Sequence, residues 1–215
     1  MKILVFSDTH LTDVFDEKKF HLMRRIIQDA DKVIVNGDFW DGFIVSFDKF
    51  ISSPWNKLFP LLKARDTVYV YGNHDRPSLS DRRVSLFSNI QTEEYTFSIR
   101  DTVYQFEHGH DGAFLCDGSI PLPILRHLTR FSTYIEWFFT KLWGRSTRYF
   151  GHHLNRRQKR KIRNKSRLTA VFGHTHYAEH DEENNFINTG YIQHGLAQYL
   201  LITNNRVTVK EERYS

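Results

Sequence analysis

The sequence predicts an α/β protein whose strands end in polar side chains. Five short runs of β-branched and aromatic residues are bounded by Gly, Asn and Asp, a pattern typical of strands. These runs are residues 3–6, 33–35, 68–71, 103–106 and 170–172. In an α/β sheet, residues at the carboxyl ends of the strands converge on one edge, where such folds build their sites. We therefore expect the polar residues that follow the five runs to lie together.

Two segments between these runs are predicted to be helical. In residues 15–27, the apolar side chains recur at the spacing of a helix with one buried face. Residues 43–62 are also rich in large apolar side chains, but Pro54 interrupts them. Because proline breaks a helix, we expect separate helical pieces on its two sides.

Two hairpins complete the predicted elements. Residues 95–99 alternate between apolar and polar side chains and are expected to pair with 103–106 through a turn at residues 100–101. Near the end of the chain, 199–202 and 207–209 flank a short polar segment and form a second predicted hairpin.

Seven side chains of the kinds that bind metal ions follow the five strands. They are Asp8, His10, Asp38, Asn73, His108, His174 and His176. Oxygen and imidazole donors in this mixture suit Mn²⁺, Fe or Zn²⁺ better than Ca²⁺ or a thiolate-bound metal. Seven ligands exceed what one catalytic ion uses, and they divide into two sets of four if one carboxylate bridges. The sequence therefore predicts a two-metal site.

These residues also carry a resemblance to a known family. The motifs D-x-H, G-D-x-x-D, G-N-H-D, H-G and G-H-x-H occur in this order between residues 8 and 176. In this the chain resembles the calcineurin-like metallophosphoesterase superfamily. The resemblance implies a four-layer αββα sandwich of two mixed β-sheets, and a phosphoester hydrolase that uses a metal-bridging hydroxide.

The resemblance also implies a role for each residue. One ion would be bound by Asp8, His10, Asp38 and His176, and the other by Asp38, Asn73, His108 and His174. The ions are expected to be Mn²⁺, with Fe and Zn²⁺ as alternatives. His74 matches the catalytic histidine, which stabilises the transition state or protonates the leaving oxygen. Asp75 is expected to orient His74, and Asp41 to support the ligands. His110 remains open as an alternative ligand to His108, as a substrate contact or as a side chain that faces solvent.

Composition favours a single domain over residues 1–215 in a reducing compartment. The one cysteine, Cys116, excludes a disulfide within the chain. The chain begins without a charged segment followed by a long apolar one, and no apolar stretch is long enough to span a bilayer. We expect a cytoplasmic protein, with peripheral contact to the inner face of the membrane as a further expectation.

The insertion, residues 120–168, is strongly basic. It contains 13 Lys or Arg residues and one acid, Glu136, so its net charge is +12, whereas the chain as a whole is +5 and the remainder is −7. Such an asymmetry indicates a polyanionic partner or an anionic membrane surface. The sequence leaves the oligomeric state open.

Large apolar side chains in the insertion recur at helical spacing. They are Phe131, Tyr134, Ile135, Trp137, Phe138, Phe139, Leu142 and Trp143. An aromatic amphipathic helix beside a basic run, here residues 156–161, is typical of proteins that bind membrane surfaces. Trp137, Phe138, Arg156 and Arg157 are therefore expected to contact the membrane or a lipid-linked substrate. Two alternatives remain: the aromatic face packs on the domain as a cap, or the basic residues bind nucleic acid.

One branch of the superfamily is the most similar. The residues 188–191, Asn-Thr-Gly-Tyr, and the long insertion resemble the group related to UDP-2,3-diacylglucosamine pyrophosphohydrolase, although the best-known enzymes of that activity carry Arg at the position of His74. This resemblance implies hydrolysis of a lipid-linked phosphoester or pyrophosphate at the membrane, with the insertion as a helical cap over acyl chains. The other functions left open are a phosphodiesterase or nuclease acting on nucleotides or nucleic acid, and a non-catalytic scaffold.

Overall fold

The computed structural model describes residues 1–110, 120–143, 149–162, 168–204 and 206–214. Several residues of the predictions lie outside these ranges: Cys116, Arg145, Arg148, Arg163, Lys165 and Arg167. The side chain of Trp143 is likewise outside the description.

The described residues form an alternation of strands and helices. The strands are β1 (Lys2–Phe6), β2 (Lys32–Asn36), β3 (Val68–Val70), β4 (Ile90–Thr92), β5 (Glu94–Ile99), β6 (Thr102–Glu107), β7 (Leu168–Phe172), β8 (Glu179–Asp181), β9 (Phe186–Asn188), β10 (Ile192–Gln193), β11 (Leu196–Thr203) and β12 (Val207–Arg213). The α-helices are α1 (Glu17–Gln28), α2 (Phe47–Ser52), α3 (Phe59–Ala64), α4 (Leu122–Trp143) and α5 (Tyr149–Ile162).

The strands build two mixed sheets. The first has the order β10-β11-β1-β2-β3-β4, with β12 paired to β11. Within it β1 to β4 run parallel, and β11 is antiparallel to β1. The second has the order β5-β6-β7-β9-β8, in which β6, β7 and β9 are parallel. Both sheets are mixed, as the family resemblance implies.

Because successive side chains of a strand point to opposite faces, the first sheet borders two separate hydrophobic cores. In β1, Ile3 and Val5 face the second sheet, while Leu4 and Phe6 face helices α1 to α3. Helix α5 covers the far side of the second sheet, where Ile162 packs with residues of β7 and β9. The layers are thus helix, sheet, sheet and helix, which confirms the predicted αββα sandwich.

The predicted helices and hairpins are present. Helix α1 begins after Asp16, whose carboxylate accepts a hydrogen bond of 3.0 Å from the Lys19 amide. The segment 43–62 divides into α2, a 3₁₀ helix from Pro54 to Leu58, and α3. Strands β5 and β6 pair through the predicted turn, with Arg100 at a φ of 53°. Strands β11 and β12 form the second hairpin.

Helix α4 presents its apolar face outward. Leu125, Thr129 and Thr140 lie on the inward side and are buried. A stripe of exposed side chains at spacings of three and four residues covers the opposite side: Ile124, Leu128, Phe131, Ile135, Phe138 and Leu142. Within the described ranges, the aromatic face therefore does not pack on the domain, contrary to the alternative in which it does.

Helix α5 places part of its basic run inward. Lys159 forms ion pairs with Glu179, at 2.6 Å, and with Asp181. Gln158 is buried and donates to the carbonyl of Gly109. Arg156 and Arg157 are exposed, so only some of the predicted basic run faces solvent.

Candidate metal centre

The seven predicted ligands lie at the carboxyl ends of five strands. Strands β1, β2 and β3 of the first sheet precede Asp8 with His10, Asp38, and Asn73. Strands β6 and β7 of the second sheet precede His108, and His174 with His176. Both sheets therefore contribute side chains to one edge of the sandwich.

Backbone conformation turns most of these side chains toward that edge. Five of the seven have a positive φ: Asp8 (53°), His10 (42°), Asp38 (52°), His174 (68°) and His176 (55°). Residues other than glycine seldom adopt this region, and those that do cluster at functional sites. The backbone strain is thus concentrated where the donor atoms meet.

Glycines leave room for the converging side chains. Gly37 has a φ of 88°, and a Cβ there would lie 2.3 Å from Nδ1 of His108. A Cβ on Gly72 would lie 2.2 Å from Oδ1 of Asp38. Both contacts are far inside van der Waals distance, so these positions require glycine.

The first group of donors contains Asp8, His10 and His176. The Nε2 atom of His176 lies 3.2 Å from Oδ1 of Asp8 and 3.3 Å from Nε2 of His10. The Nε2 atom of His10 lies 3.7 Å from Oδ2 of Asp38. Donor atoms around one ion with bonds of about 2.1 Å are roughly 3.0–3.4 Å apart, so this group could hold a metal ion.

The second group contains Asp38, Asn73, His108 and His174. The Nε2 atom of His108 lies 3.1 Å from Oδ2 of Asp38 and 3.2 Å from Oδ1 of Asn73. That Asn73 oxygen is 3.0 Å from Nδ1 of His174. Asp38 Oδ2 thus faces both groups, while its Oδ1 accepts a hydrogen bond of 2.8 Å from the His74 amide.

The outer nitrogens of three candidate ligand rings have oxygen partners. Nδ1 of His108 lies 2.9 Å from the carbonyl oxygen of Asn36. Nδ1 of His10 lies 3.5 Å from Asp41, and Nδ1 of His176 lies 2.7 Å from Glu136. Such partners fix the tautomer and orientation of a ligating imidazole.

The carboxylate beside His74 belongs to Asp41 and not to Asp75, which corrects the predicted role of Asp75. Nδ1 of His74 lies 3.1 Å from Oδ1 of Asp41. The Asp75 carboxylate instead accepts hydrogen bonds from the backbone amides of Asp38, Phe39 and Gly72, at 3.1, 2.6 and 2.7 Å. Asp75 therefore ties the second and third motifs together through the backbone.

Charges in the site shift several pKa values. Burial opposes charge on His108, but Asp38 and Asp8 outweigh it and raise its pKa to about 10. Burial likewise opposes charge on His74, and Asp41 and Asp38 raise its pKa to about 9. Burial lowers the pKa of His174 to about 3. The buried carboxylates thus create a potential that favours cations.

A cavity of about 290 Å³ opens beside His108 and is lined by His110, Tyr71 and Arg76 among others. The His110 ring lies 5.5 Å from the His108 ring, centre to centre. The candidate metal groups among the described residues contain His108 and not His110. His110 thus lies where it could meet a substrate, whereas Trp137, Phe138, Arg156 and Arg157 lie on the outer surfaces of α4 and α5.

Most of the chain matches a known protein family. The family model for calcineurin-like phosphoesterase matches residues 1–178. The chain belongs to this family. It is accordingly a metal-dependent phosphoesterase, as the motifs predict, and its candidate ligand groups are consistent with the divalent metals that calcineurin-like phosphoesterases use.

Solved structures share the calcineurin-like phosphoesterase fold. A novel archaeal phosphodiesterase is 18% identical, with 99% of each chain covered and a TM-score of 0.52. Wild-type Vps29 from Entamoeba histolytica, complexed with Zn²⁺, is 14% identical, with both chains fully (100%) covered and a TM-score of 0.51. At these identities the likeness shows the fold alone.

A curated human protein shares a shorter stretch. The epididymis-specific alpha-mannosidase is 27% identical over 114 residues, which are 53% of this chain and 11% of that protein. The chain therefore spans a small part of that relative.

Among the helices described here, none combines the length and apolar character needed to cross a membrane.

Several residues that support the candidate ligands receive no role from the sequence alone. Ser7 donates to Asp8 and lies 2.6 Å from the hydroxyl of Thr189. Asn188 donates to the carbonyl of Gly173 at 2.7 Å, next to the G-H-x-H motif. Glu136 contacts His176, and its signal was its position as the one acid in the basic insertion.

Proposed function

We propose that this chain is a two-metal hydrolase of a lipid-linked phosphoester or pyrophosphate at an anionic membrane surface. The observation that carries the proposal is the orientation of α4. Its aromatic stripe is exposed, while Glu136 on its inward side contacts the candidate ligand His176. A surface-binding helix and the candidate metal centre are therefore in direct contact.

The candidate ligands fit two divalent ions. Asp8 and Asp38 are 0% and 1% exposed, and the charged partners that the structure describes for them are histidine rings. Buried carboxylates require pairing or a bound cation. The proposed sets are Asp8, His10, Asp38 and His176 for one ion, and Asp38, Asn73, His108 and His174 for the other. Oxygen and imidazole donors suit Mn²⁺, with Fe or Zn²⁺ as alternatives.

Beside the ions, His74 would act as a proton donor and Asp41 would orient its ring. When bound, two divalent ions supply a nucleophile from water at neutral pH and clamp the phosphoryl oxygens. His74 is proposed to donate a proton to the leaving oxygen, because carboxylates favour its protonated form. Asp41 would hold the His74 ring, since its Oδ1 also accepts from the amides of Phe43 and Ile44 and is fixed in place.

The exposed face of α4 would dock on the membrane. Trp137 and Phe138 are 40% and 45% exposed, and a side chain of this size gains about 1.5–3 kcal/mol on full burial in an apolar phase. Arg156 and Arg157 on α5 are exposed and would add roughly 1 kcal/mol each near anionic lipid. We place the protein on the cytoplasmic face of the membrane as part of this proposal.

UDP-2,3-diacylglucosamine is the proposed substrate to test first. The sequence at residues 188–191 and the long insertion support this choice by resemblance. Docking of the exposed apolar stripe would also bring the site to the membrane that holds the acyl chains. The insertion would then act as a cap over those chains within a single domain. His110, beside the cavity at the site, would contact the phosphorylated part.

The experiment measures UMP release from UDP-2,3-diacylglucosamine in mixed micelles with Mn²⁺-loaded protein. We expect release by the wild type and a loss of about 10²–10⁴-fold in His74→Ala. Trp137→Asp with Phe138→Asp should lower activity on the micellar substrate at least tenfold, whereas Leu86→Asp serves as a control. Leu86 is 51% exposed and lies outside the insertion. No release by the wild type would contradict the proposed substrate.

A second candidate is a phosphodiesterase that acts on nucleotides or nucleic acid. The exposed Arg156 and Arg157, with Arg160 and Lys161 on the same helix, favour it, because Lys and Arg neutralise phosphates. Binding to single-stranded DNA or RNA that weakens with salt and is indifferent to vesicles would support this candidate over the lipid substrate.

A further inference from the structure

The carboxylate of Glu136 lies between two histidine rings. Its Oε1 is 2.7 Å from Nδ1 of His176, and its Oε2 is 3.4 Å from Nε2 of His194. The Glu136 side chain is 25% exposed, so the contact is partly shielded from water. Glu136 is also the one acidic residue in the insertion of residues 120–168. A carboxylate in this otherwise basic segment thus reaches the edge of the candidate metal centre.

The ring of His176 has two distinct sides. Its Nε2 faces Asp8 and His10, at 3.2 and 3.3 Å, while its Nδ1 faces Glu136. Tyr191 stacks on the ring, with centroids 5.7 Å apart and planes at 20°. A neutral imidazole offers Nε2 to a metal only when the proton is on Nδ1, and a carboxylate acceptor holds the proton there.

Two other candidate ligand rings, those of His108 and His10, take their outer partners from the body of the domain. Nδ1 of His108 lies 2.9 Å from the carbonyl of Asn36, on β2. Nδ1 of His10 lies 3.5 Å from Asp41, which follows β2. His176 differs because its partner is Glu136 on α4, which lies 40 residues earlier in the chain. The insertion therefore supplies a contact that the two sheets do not.

We propose that Glu136 is a positioning residue for the metal ligand His176, so that helix α4 completes one of the two ion sites. The inference rests on the proposed two-metal function and adds a role for the insertion in metal binding itself. It predicts that the ion held by Asp8, His10, Asp38 and His176 depends on Glu136. The ion held by Asn73, His108 and His174 with Asp38 does not, because their described partners lie elsewhere.

The test is a Mn²⁺ titration followed by electron paramagnetic resonance, which gives the dissociation constant of each ion. In Glu136→Ala, one of the two ions should bind about 10–100-fold more weakly, as loss of such partners costs other metal sites. Glu136→Gln should recover most of the affinity, because its amide oxygen still accepts from Nδ1. Thr133→Ala, one turn earlier on α4, is the control and should bind both ions as the wild type does.

The possible results distinguish a failure of the proposed role of Glu136 from a failure of the proposed two-metal function. Wild-type affinities for both ions in folded Glu136→Ala would overturn the role of Glu136. Equal weakening of both ions in the Ala and Gln variants would also overturn it, since that result indicates a general loss of structure. A wild-type chain that binds fewer than two ions would instead contradict the proposed two-metal function.

Discussion

At the scale of single residues, the site depends on glycines that let the backbone come close to the candidate ligands, as well as on the ligands themselves. Gly37 sits against the ring of His108, so any side chain there would push the ring away from Asp38 and Asn73. Gly195 offers a comparison, because its φ of 81° is close to the 88° of Gly37 while its added Cβ would meet nothing nearer than 3.5 Å. Comparing the same substitution at the two glycines therefore distinguishes the cost of a positive φ from the cost of a steric clash with His108.

Gly37→Ala is expected to weaken Mn²⁺ binding and to destabilise the fold more than Gly195→Ala does. A residue with a Cβ pays about 1–2 kcal/mol at such a φ in either position. Only Gly37→Ala adds the displacement of His108. Urea unfolding and Mn²⁺ titration of both variants measure the difference. Equal stability and equal metal affinity in the two variants would contradict the role of Gly37.

Lys19 gives a pH-dependent prediction that does not involve a metal ligand. The side chain is buried, and its amine donates to the carbonyl of Thr9. Burial lowers its pKa from 10.5 to about 7, which Asp16 only partly offsets. Between these values the unfolded chain carries a proton on this amine that the folded chain lacks. The free energy of unfolding should therefore rise with pH across this window, by at most about 1.4 kcal/mol per pH unit.

Lys19→Met should remove this rise while keeping the aliphatic part of the side chain. The measurement is urea unfolding of wild type and variant without metal at several pH values from 7 to 10. Because other groups titrate in both proteins, the difference between the two curves is the informative quantity. Parallel curves would show that the amine is charged in the folded protein over the whole range.

At the scale of elements, α5 is held to the second sheet by charge as well as by apolar contact. Lys159 pairs with Glu179 and Asp181 of β8, and its amine lies 5.2 Å from the centre of the Phe186 ring. Burial disfavours the charged amine, but Asp181 and Glu179 outweigh it and raise the pKa of Lys159. This basic residue therefore contributes to docking of the helix and not to the exposed basic surface.

Lys159→Met is expected to cost about 1–2 kcal/mol of unfolding free energy, because two partly buried carboxylates lose their cation. Arg157→Met is the control, since Arg157 is exposed on the same helix. An exposed substitution of this kind should stay within about 0.5 kcal/mol. Urea unfolding of the two variants compares them, and equal losses would contradict the docking role.

The elements also show which features the sequence could predict. Strands β1, β2, β3, β6 and β7 were recognisable because each pairs an apolar run with a polar motif. Strands β4, β8, β9 and β10 have two or three residues each and, unlike the wholly apolar Val-Tyr-Val of the equally short β3, each contains polar side chains. The spacing in α4 predicted an amphipathic helix but not its orientation, because the same spacing fits a face turned inward or outward.

Contacts between distant residues were the least predictable part of the site. Asp75 follows His74 in sequence, yet Asp41, far earlier in the chain, lies at its ring. The tight turn after β3 directs the Asp75 carboxylate to backbone amides instead, including that of Gly72. The contact of Glu136 with His176 likewise depends on where the insertion lies against the sheets.

At the scale of the whole molecule, two sheets bring their strand ends together so that donors from both surround Asp38. Its Oδ2 lies 3.1 Å from Nε2 of His108, which follows a strand of the second sheet. It lies 3.7 Å from Nε2 of His10, which follows a strand of the first sheet. Asp38 is therefore the residue on which the proposed two-metal site depends most.

The most direct measurement counts Mn²⁺ ions per chain and follows hydrolysis of bis-p-nitrophenyl phosphate in wild type and Asp38→Asn. Circular dichroism confirms that both proteins are folded. We predict two ions and turnover in the wild type, loss of both with EDTA, and fewer ions with at least about 10²-fold lower turnover in Asp38→Asn. Two ions and wild-type turnover in Asp38→Asn, or turnover that survives complete removal of metal, would contradict the two-metal site.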